Sequence, residues 1–177
     1  MKENYWVWPA GTIPPDYCDH LIRTFDPQVA PATVDDSKVD ETVRISQTCF
    51  INDIDVTSLM LDFSITANRN GFGVDTSPYI ECQFTKYDGN RAEFYDWHMD
   101  AAVKGKLAFN RKISCVALLS DPKDFTGGEF EMHSIGEIPL EKGSVIAFPS
   151  FMVHRVKPVT SGTRFSLVSW QEGVDWR

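Results

Sequence analysis

The sequence lacks any apolar run long enough to cross a membrane. Its longest uncharged stretches, Asn4–Pro15 and Gly143–His154, fall short of the roughly 18 apolar residues that a span requires. Cysteine is scarce, and Cys18, Cys49, Cys82 and Cys115 lie about 30 residues apart, with no C-x-x-C pair and no zinc-like spacing. Three of them sit in apolar, strand-like runs, where a buried reduced thiol is the expected state. The opening Met1-Lys2-Glu3-Asn4 leads into no apolar segment of the secretory type, so the simplest expectation is a cytoplasmic protein. An excess of positive charge is also missing. Lys and Arg number 17 against 25 Asp and Glu, a net charge of -8. A field of that sign repels phosphate backbones and argues against nucleic acid as a partner.

What remains is ordinary globular material. The 177 residues suit one folding unit, with 42% hydrophobic and 24% charged residues. A chain of this size can bury roughly 70% of its unfolded surface, so folding needs no disulfide or metal staple. No repeat, low-complexity segment or long linker divides it.

Two segments carry helical spacing. The first, about Pro14–Phe25, opens on Pro-Pro and places Tyr17, Cys18, Leu21, Ile22 and Phe25 three and four residues apart. The second, about Asp53–Asn70, sets Val56, Leu59, Met60, Phe63 and Ala67 on one stripe, with Gly71 as the expected stop. After Gly73 the pattern turns to short strands: Tyr79–Tyr87, Phe94–Met99, Lys112–Leu119, Gly128–Met132, Ser144–Phe148, Val153–Lys157 and Arg164–Trp170. Thr42–Phe50 adds an earlier one. Helices first and many strands afterwards predict an α+β fold with the β part rolled into a sandwich or barrel. No helical crossovers separate the later strands, which excludes a strictly parallel sheet.

Chemistry-bearing residues begin at Trp97-His98-Met99-Asp100. Residues i and i+2 of a strand share a face and stand roughly 6.6 Å apart, so His98 and Asp100 can lean toward one metal ion. For such a pair alone, a solvent-facing histidine is the commoner outcome. His154 follows in Pro149-Ser150-Phe151-Met152-Val153-His154, and Arg164 comes ten residues later. A turn at Pro158–Gly162 would pair the two segments as a hairpin with His154 nearly opposite Arg164. Arg164, Ser166, Val168 and Trp170 would then share one face. An arginine pointing into a roll is costly unless a carboxylate meets it, and no acidic residue alternates on the facing strand. A ligand carboxylate fits the guanidinium fork. Two His and one Asp form the facial triad that binds non-haem Fe(II) and leaves three positions open. A 2-oxo acid held by Arg164 would fill two of these and leave one for oxygen. A nucleophilic serine finds no support, because the G-x-S-x-G elbow is absent around Ser150.

With His98, Asp100, His154 and Arg164 in this order, the sequence resembles the Fe(II)/2-oxoglutarate-dependent dioxygenases, in the prolyl 4-hydroxylase-like branch that includes the PKHD-type hydroxylases. Tyr87-Asp88-Gly89 with Tyr95 ahead of His98 is similar to that family's Y-x-x-G-x-x-Y-x-x-H-x-D segment, with the two tyrosines two residues further apart here. Arg111–Leu119, the Gly127-Gly128-Glu129-Phe130 turn and Gly143–Pro149 add to the likeness, which covers about Tyr79–Trp170.

The resemblance implies one domain over 1–177: a helical and strand part to about residue 75, then a double-stranded β-helix (jelly roll) over about 76–172, with the N-terminal helices packed on one side. It implies Fe(II) on His98, Asp100 and His154, and 2-oxoglutarate with its far carboxylate on Arg164. Tyr87 and Ser166 are the hydroxyls expected to assist. Leu118 stands where some relatives have a tyrosine that touches the cosubstrate, and Ser166 is the candidate to compensate. Dioxygen is the implied co-reactant and ascorbate a candidate reductant. The implied activity is hydroxylation of a prolyl residue in a peptide or protein, with release of succinate and CO2. Alternatives are a dioxygenase acting on free amino acids or nucleic acid, or a non-catalytic roll that only binds. A demethylase would carry a second arginine six residues after the first, where this chain has Trp170. A free amino acid would need charged groups of its own, and only Arg164 is identifiable. His20 and His133 read as surface histidines. Lys104, Lys106, Arg111 and Lys112 read as a solvated hairpin or a docking patch for an acidic substrate. The acidic stretch Val34–Glu41 reads as a mobile loop that would close over a substrate peptide and favour basic ones.

Overall fold

The computed structural model describes residues 4–32, 40–102 and 109–176. Lys104, Lys106 and most of the Val34–Glu41 stretch lie outside them. In chain order the described residues form β1 (Trp6–Trp8), α1 (Pro15–Phe25), β2 (Ala30–Pro31), β3 (Arg44–Ile45), β4 (Gln47–Ile51), α2 (Ile54–Ala67) and β5 (Ile80–Asp88). There follow β6 (Phe94–His98), β7 (Phe109–Leu118), β8 (Phe125–Gly127), β9 (Phe130–Met132), β10 (Gly136–Ile138), β11 (Val145–Pro149), β12 (His154–Val156) and β13 (Val159–Val174).

Each helix starts where its sequence says it should. Pro15 takes the first position of α1, where its missing N–H costs nothing. The Asp53 carboxylate caps α2 by accepting from the backbone N–H groups of Asp55 and Val56. The stop of α2 differs from expectation. Gly71 lies inside a wide final turn over Asn68–Phe72, and the residue in the left-handed region is Gly73, at φ 63°.

The strands form two antiparallel sheets. The larger runs β1-β11-β7-β13-β5-β4-β2, with β8 on the far part of β13; the smaller runs β10-β9-β12-β6-β3. They face each other as a jelly roll, with α1 and α2 on the outer face of the larger sheet. The two-residue period divides the larger sheet's side chains. Cys115, Ala117, Val145, Ala147, Phe84 and Leu167 pack outward against Leu21, Phe25, Val56 and Met60 of the helices. Val116, Ile146 and Phe148 point inward and join Phe130, Met132 and Val156 of the smaller sheet. Burial on both faces explains why β7 and β11 read as continuous apolar runs. The α+β jelly-roll expectation holds.

Two sequence readings are corrected. The expected Thr42–Phe50 strand is split: β3 joins the smaller sheet and β4 the larger. The His154–Arg164 hairpin does not form. β12 pairs with β6 and β9, while the first residues of β13 pair with β8. The chain leaves one sheet and enters the other within Lys157-Pro158, so His154 and Arg164 face each other across the roll instead of along a ladder. Their shared orientation toward the interior survives, because it depends on strand parity and not on the turn.

Candidate active site

β6 and β12 place His98 and His154 directly opposite each other. The two imidazoles lie 4.2 Å apart at their centroids. Each ring is fixed by its Nδ1, which donates to a backbone carbonyl: Asp96 O at 2.8 Å for His98 and Met152 O at 2.9 Å for His154. A carbonyl can only accept, so each Nδ1 carries a proton, and the Nε2 atoms are the ones left to serve as metal donors. They point at one carboxylate. His98 Nε2 lies 3.7 Å from Asp100 Oδ1, and His154 Nε2 lies 3.7 Å from Asp100 Oδ2. One donor atom from each of the three residues falls within 4.8 Å of the others.

Electrostatics hold this cluster ready for a cation. Burial, aided by repulsion from His154, pushes the pKa of His98 down to about 3, so its ring is neutral near pH 7. Burial acts to raise Asp100, but His154, His98 and the Ser114 hydroxyl together hold it below the usual carboxylate value. Two imidazoles and one carboxylate, with outer nitrogens and an outer oxygen already hydrogen-bonded, are the donor set of a divalent iron site. The donors fit the metal.

The supporting hydroxyls escaped the sequence reading. Ser114 Oγ donates to Asp100 Oδ2 at 2.6 Å and sits 2.9 Å from Ser150 Oγ. Ser150 thus serves the carboxylate, and its carbonyl also accepts from the N–H groups of Asp100 and Ala101. The clue was parity on β7, which turns Ser114 inward, but the partner strand could not be identified from spacing alone.

Across the roll, Arg164 is 2% exposed. Its Nη1 donates to Ser166 Oγ at 3.2 Å, and its guanidinium lies 5.6 Å from the Tyr87 ring, its cross-strand neighbour. Ser166 is also paired with Leu118, the position expected to lack a tyrosine hydroxyl. Among the described residues no carboxylate pairs with Arg164. Arg164, Ser166, Val168 and Trp170 all line one cavity with His98, Asp100 and His154, about 410 Å³ including its open mouth. A buried guanidinium with a single hydroxyl partner, on the wall of a cavity that ends in three metal donors, fits a small dianionic chelator.

His133 and His20 stay outside. His133 is exposed with its ring against Trp97, and His20 stacks on Tyr17 of α1. Of the basic cluster, Arg111 pairs with Glu81 and covers the Trp170 ring at 3.9 Å, while Lys112 is buried and donates to Val174 O. Sequence reasoning also missed Arg44, a buried arginine on the cavity wall.

Residues 82–172 match the family model of the 2OG-Fe(II) oxygenase superfamily, just over half of the 177-residue chain. The chain belongs to that superfamily. Fe(II) and 2-oxoglutarate are accordingly the metal and cosubstrate. A PKHD-type hydroxylase of Janthinobacterium sp. (strain Marseille) is 33% identical over 103 residues, which are 54% of this chain and 45% of that protein. The chain therefore covers less than half the length of that relative. Among solved structures, a prolyl-4-hydroxylase of Pseudomonas putida superposes with a TM-score of 0.76 at 22% identity, over 97% of this chain and 94% of that one. The viral collagen prolyl hydroxylase of Paramecium Bursaria Chlorella virus-1, solved with 2OG, gives 0.75 at 18% identity over 97% of both chains. A Trichoplax adhaerens prolyl hydroxylase in complex with a hypoxia inducible factor peptide fragment gives 0.72 at 14%, over 95% of this chain and 83% of that one. At these identities the structural matches establish the shared fold. No helix among the described residues is long and apolar enough to span a membrane.

Proposed function

We propose that this chain is a 2-oxoglutarate-dependent dioxygenase that hydroxylates a prolyl residue in a peptide or protein. The observation that carries the reading is one cavity with three convergent metal donors at one end and a buried, uncompensated arginine at the other. In this reading His98, Asp100 and His154 hold Fe(II), and Arg164, with Ser166 and Tyr87, holds the far carboxylate of 2-oxoglutarate. The iron, when bound, supplies the redox chemistry that divides dioxygen, one atom oxidising 2-oxoglutarate to succinate and CO2 and the other entering a substrate C–H bond.

The protein's own part is orientation and exclusion of water. The carbonyls of Asp96 and Met152 fix both imidazole rings, and Ser114 and Ser150 fix the carboxylate between them. Arg164 presents a planar fork that sets the cosubstrate's direction. Phe130, Val116 and Val156 give the cavity dry walls. The prolyl assignment draws on the PKHD-type relative and on the prolyl hydroxylases that share the fold. A proline in an extended peptide arrives with a fixed φ, so its ring can be presented at little conformational cost.

The test is a panel of proline-containing peptides, free L-proline and methylated oligonucleotides, incubated with Fe(II) and 2-oxoglutarate. Mass spectrometry should find one added oxygen on the proline ring, with stoichiometric succinate. Faster oxidation of free proline or of the oligonucleotide overturns the prolyl-peptide assignment and leaves the iron and cosubstrate roles standing.

A further inference from the structure

Arg44 is the second buried arginine of this cavity, and none of the roles above uses it. It opens β3, is 8% exposed, and lies opposite Tyr95 of β6, the residue whose ring stacks on His98. Its Nε donates to Ser46 Oγ at 2.7 Å and its Nη2 to Gln83 Oε1 at 3.1 Å. Its guanidinium carbon lies 4.5 Å from the Tyr95 ring centroid. All of these partners are neutral. Arg91, Arg111 and Arg155 each meet a glutamate, but among the described residues no carboxylate pairs with Arg44. Its Nη1 has no hydrogen-bond partner among them, and it is not among the atoms sealed from solvent.

A buried cation without a counter-ion is costly, and the cost is acceptable where a ligand supplies the anion. The charges of the cavity say which ligand. Its wall carries Arg44, Arg164 and Asp100 as charged groups. Fe(II) and doubly charged 2-oxoglutarate cancel each other, and Asp100 cancels one arginine. One positive charge is left over, on the arginine beside the metal-binding histidine strand. Arg44 and Arg164 also flank the same phenol: burial raises the pKa of Tyr87, and both guanidiniums act against that rise.

We propose that Arg44 anchors a carboxylate of the substrate, so that the enzyme selects targets with an acidic group beside the position that is oxidised. This rests on the dioxygenase reading of the cavity and adds a substrate class to it. A carboxylate can come from an Asp or Glu next to the target proline, or from the α-carboxylate of a proline at a chain end. Either meets the free edge of the Arg44 fork. The argument from sequence against a free amino acid was that Arg164 was the only charged group identifiable for it. The structure supplies the missing second cation.

The experiment uses four peptides of one sequence: Asp, Asn or Lys after the proline, and one ending at the proline. Affinity is read by calorimetry on the Fe(II)-loaded protein with 2-oxoglutarate under nitrogen, and turnover by succinate release in air. The wild type should favour the Asp or the chain-end peptide over the Asn peptide by about tenfold to hundredfold, as expected for a charge-assisted hydrogen bond, with the Lys peptide weakest. Which of the two leads identifies the source of the carboxylate. Arg44→Gln should reduce the preference to about onefold, Arg44→Lys should keep part of it, and Arg44→Glu should favour the Lys peptide.

Equal affinity of the wild type for Asp and Asn peptides, with the chain-end peptide no better, overturns the proposal without needing any variant to fold. Loss of 2-oxoglutarate affinity in Arg44→Gln, with peptide preference retained, overturns it too and assigns Arg44 to the cosubstrate. If no peptide yields succinate, the prolyl reading fails, and an Arg44-dependent preference for the acidic peptides in the calorimeter still establishes the subsite.

Discussion

Ser114 of the larger sheet donates its hydroxyl to Asp100, two residues past the end of β6 in the smaller sheet, across 2.6 Å. That single contact ties the carboxylate of one layer to the core of the other. It also commits one lone pair of Oδ2, leaving the rest of the carboxylate to face the two imidazoles.

Removing that tie should therefore loosen the metal and little else. Ser114→Ala is expected to lower Fe(II) affinity by about 10–100-fold, the usual effect of losing a group that orients a ligand. The affinity for 2-oxoglutarate at saturating iron should not change. Anaerobic iron titration followed by cosubstrate titration checks both, and an unchanged iron constant would mean that the carboxylate is held without the hydroxyl.

The donors themselves give a sharper contrast. His98→Ala and His154→Ala should abolish iron binding near neutral pH, because two remaining ligands hold Fe(II) poorly. His133→Ala should bind iron as the wild type does, since its ring rests on Trp97. Retention of iron by the His154 variant would break the triad.

The cosubstrate end can be disturbed from two sides. Arg164→Ala should raise the 2-oxoglutarate requirement greatly at unchanged iron affinity, since stripping one partner from a buried charge pair costs about 3–5 kcal/mol. Arg164→Lys should recover only part, for want of a planar fork. Gly128→Ala reaches the same arginine indirectly. A Cβ there would lie 2.9 Å from Arg164 Cδ and 2.8 Å from Val159 Cγ2, at a backbone φ of 68° that disfavours a side chain. Its 2-oxoglutarate affinity should fall while iron affinity stays, and an unaltered cosubstrate constant would show that Arg164 shifts freely.

Much of this site was legible because strand parity is a local property. His98 with Asp100, and Arg164 with Ser166, Val168 and Trp170, could be put on common faces by counting in twos. The four strands that went unseen, β1, β2, β8 and β10, are two or three residues long, too short to show alternation. The failed hairpin has a related cause. A turn signal at Pro158–Gly162 marks a change of direction, but not which sheet receives the next strand. Arg44 was invisible for the same reason as the split of its segment. Only the divergence of β3 from β4 after two residues brings it beside Tyr95.

The thiols predict the pH response of the fold. Burial raises Cys18 to about 11 and Cys82 and Cys115 to about 12, all above their ordinary value. A group whose pKa is raised on folding contributes stability that is complete below its unfolded value and is lost as pH climbs toward the folded one. Stability should thus fall between about pH 9 and pH 12, by up to about 1.4 kcal/mol per pH unit for each buried thiol. Urea unfolding of the protein at pH 8 and pH 10.5 measures it, and Cys82→Ala with Cys115→Ala should flatten the slope even where it lowers the plateau. A slope unaffected by the double replacement would assign the alkaline loss to other groups.

The crossing at Lys157-Pro158 puts the proposed iron ligands on one layer and Arg164 on the other. The gap between metal and anchor is then a gauge, set by how Phe130, Ile146, Phe148 and Val156 fill the space between the layers. On the proposed reading, that filling would set the length of diacid the cavity takes. A 2-oxo acid one methylene longer or shorter than 2-oxoglutarate is then expected to bind more weakly, and retuning the cavity to such an acid would call for repacking the interior, with both ends left as they are.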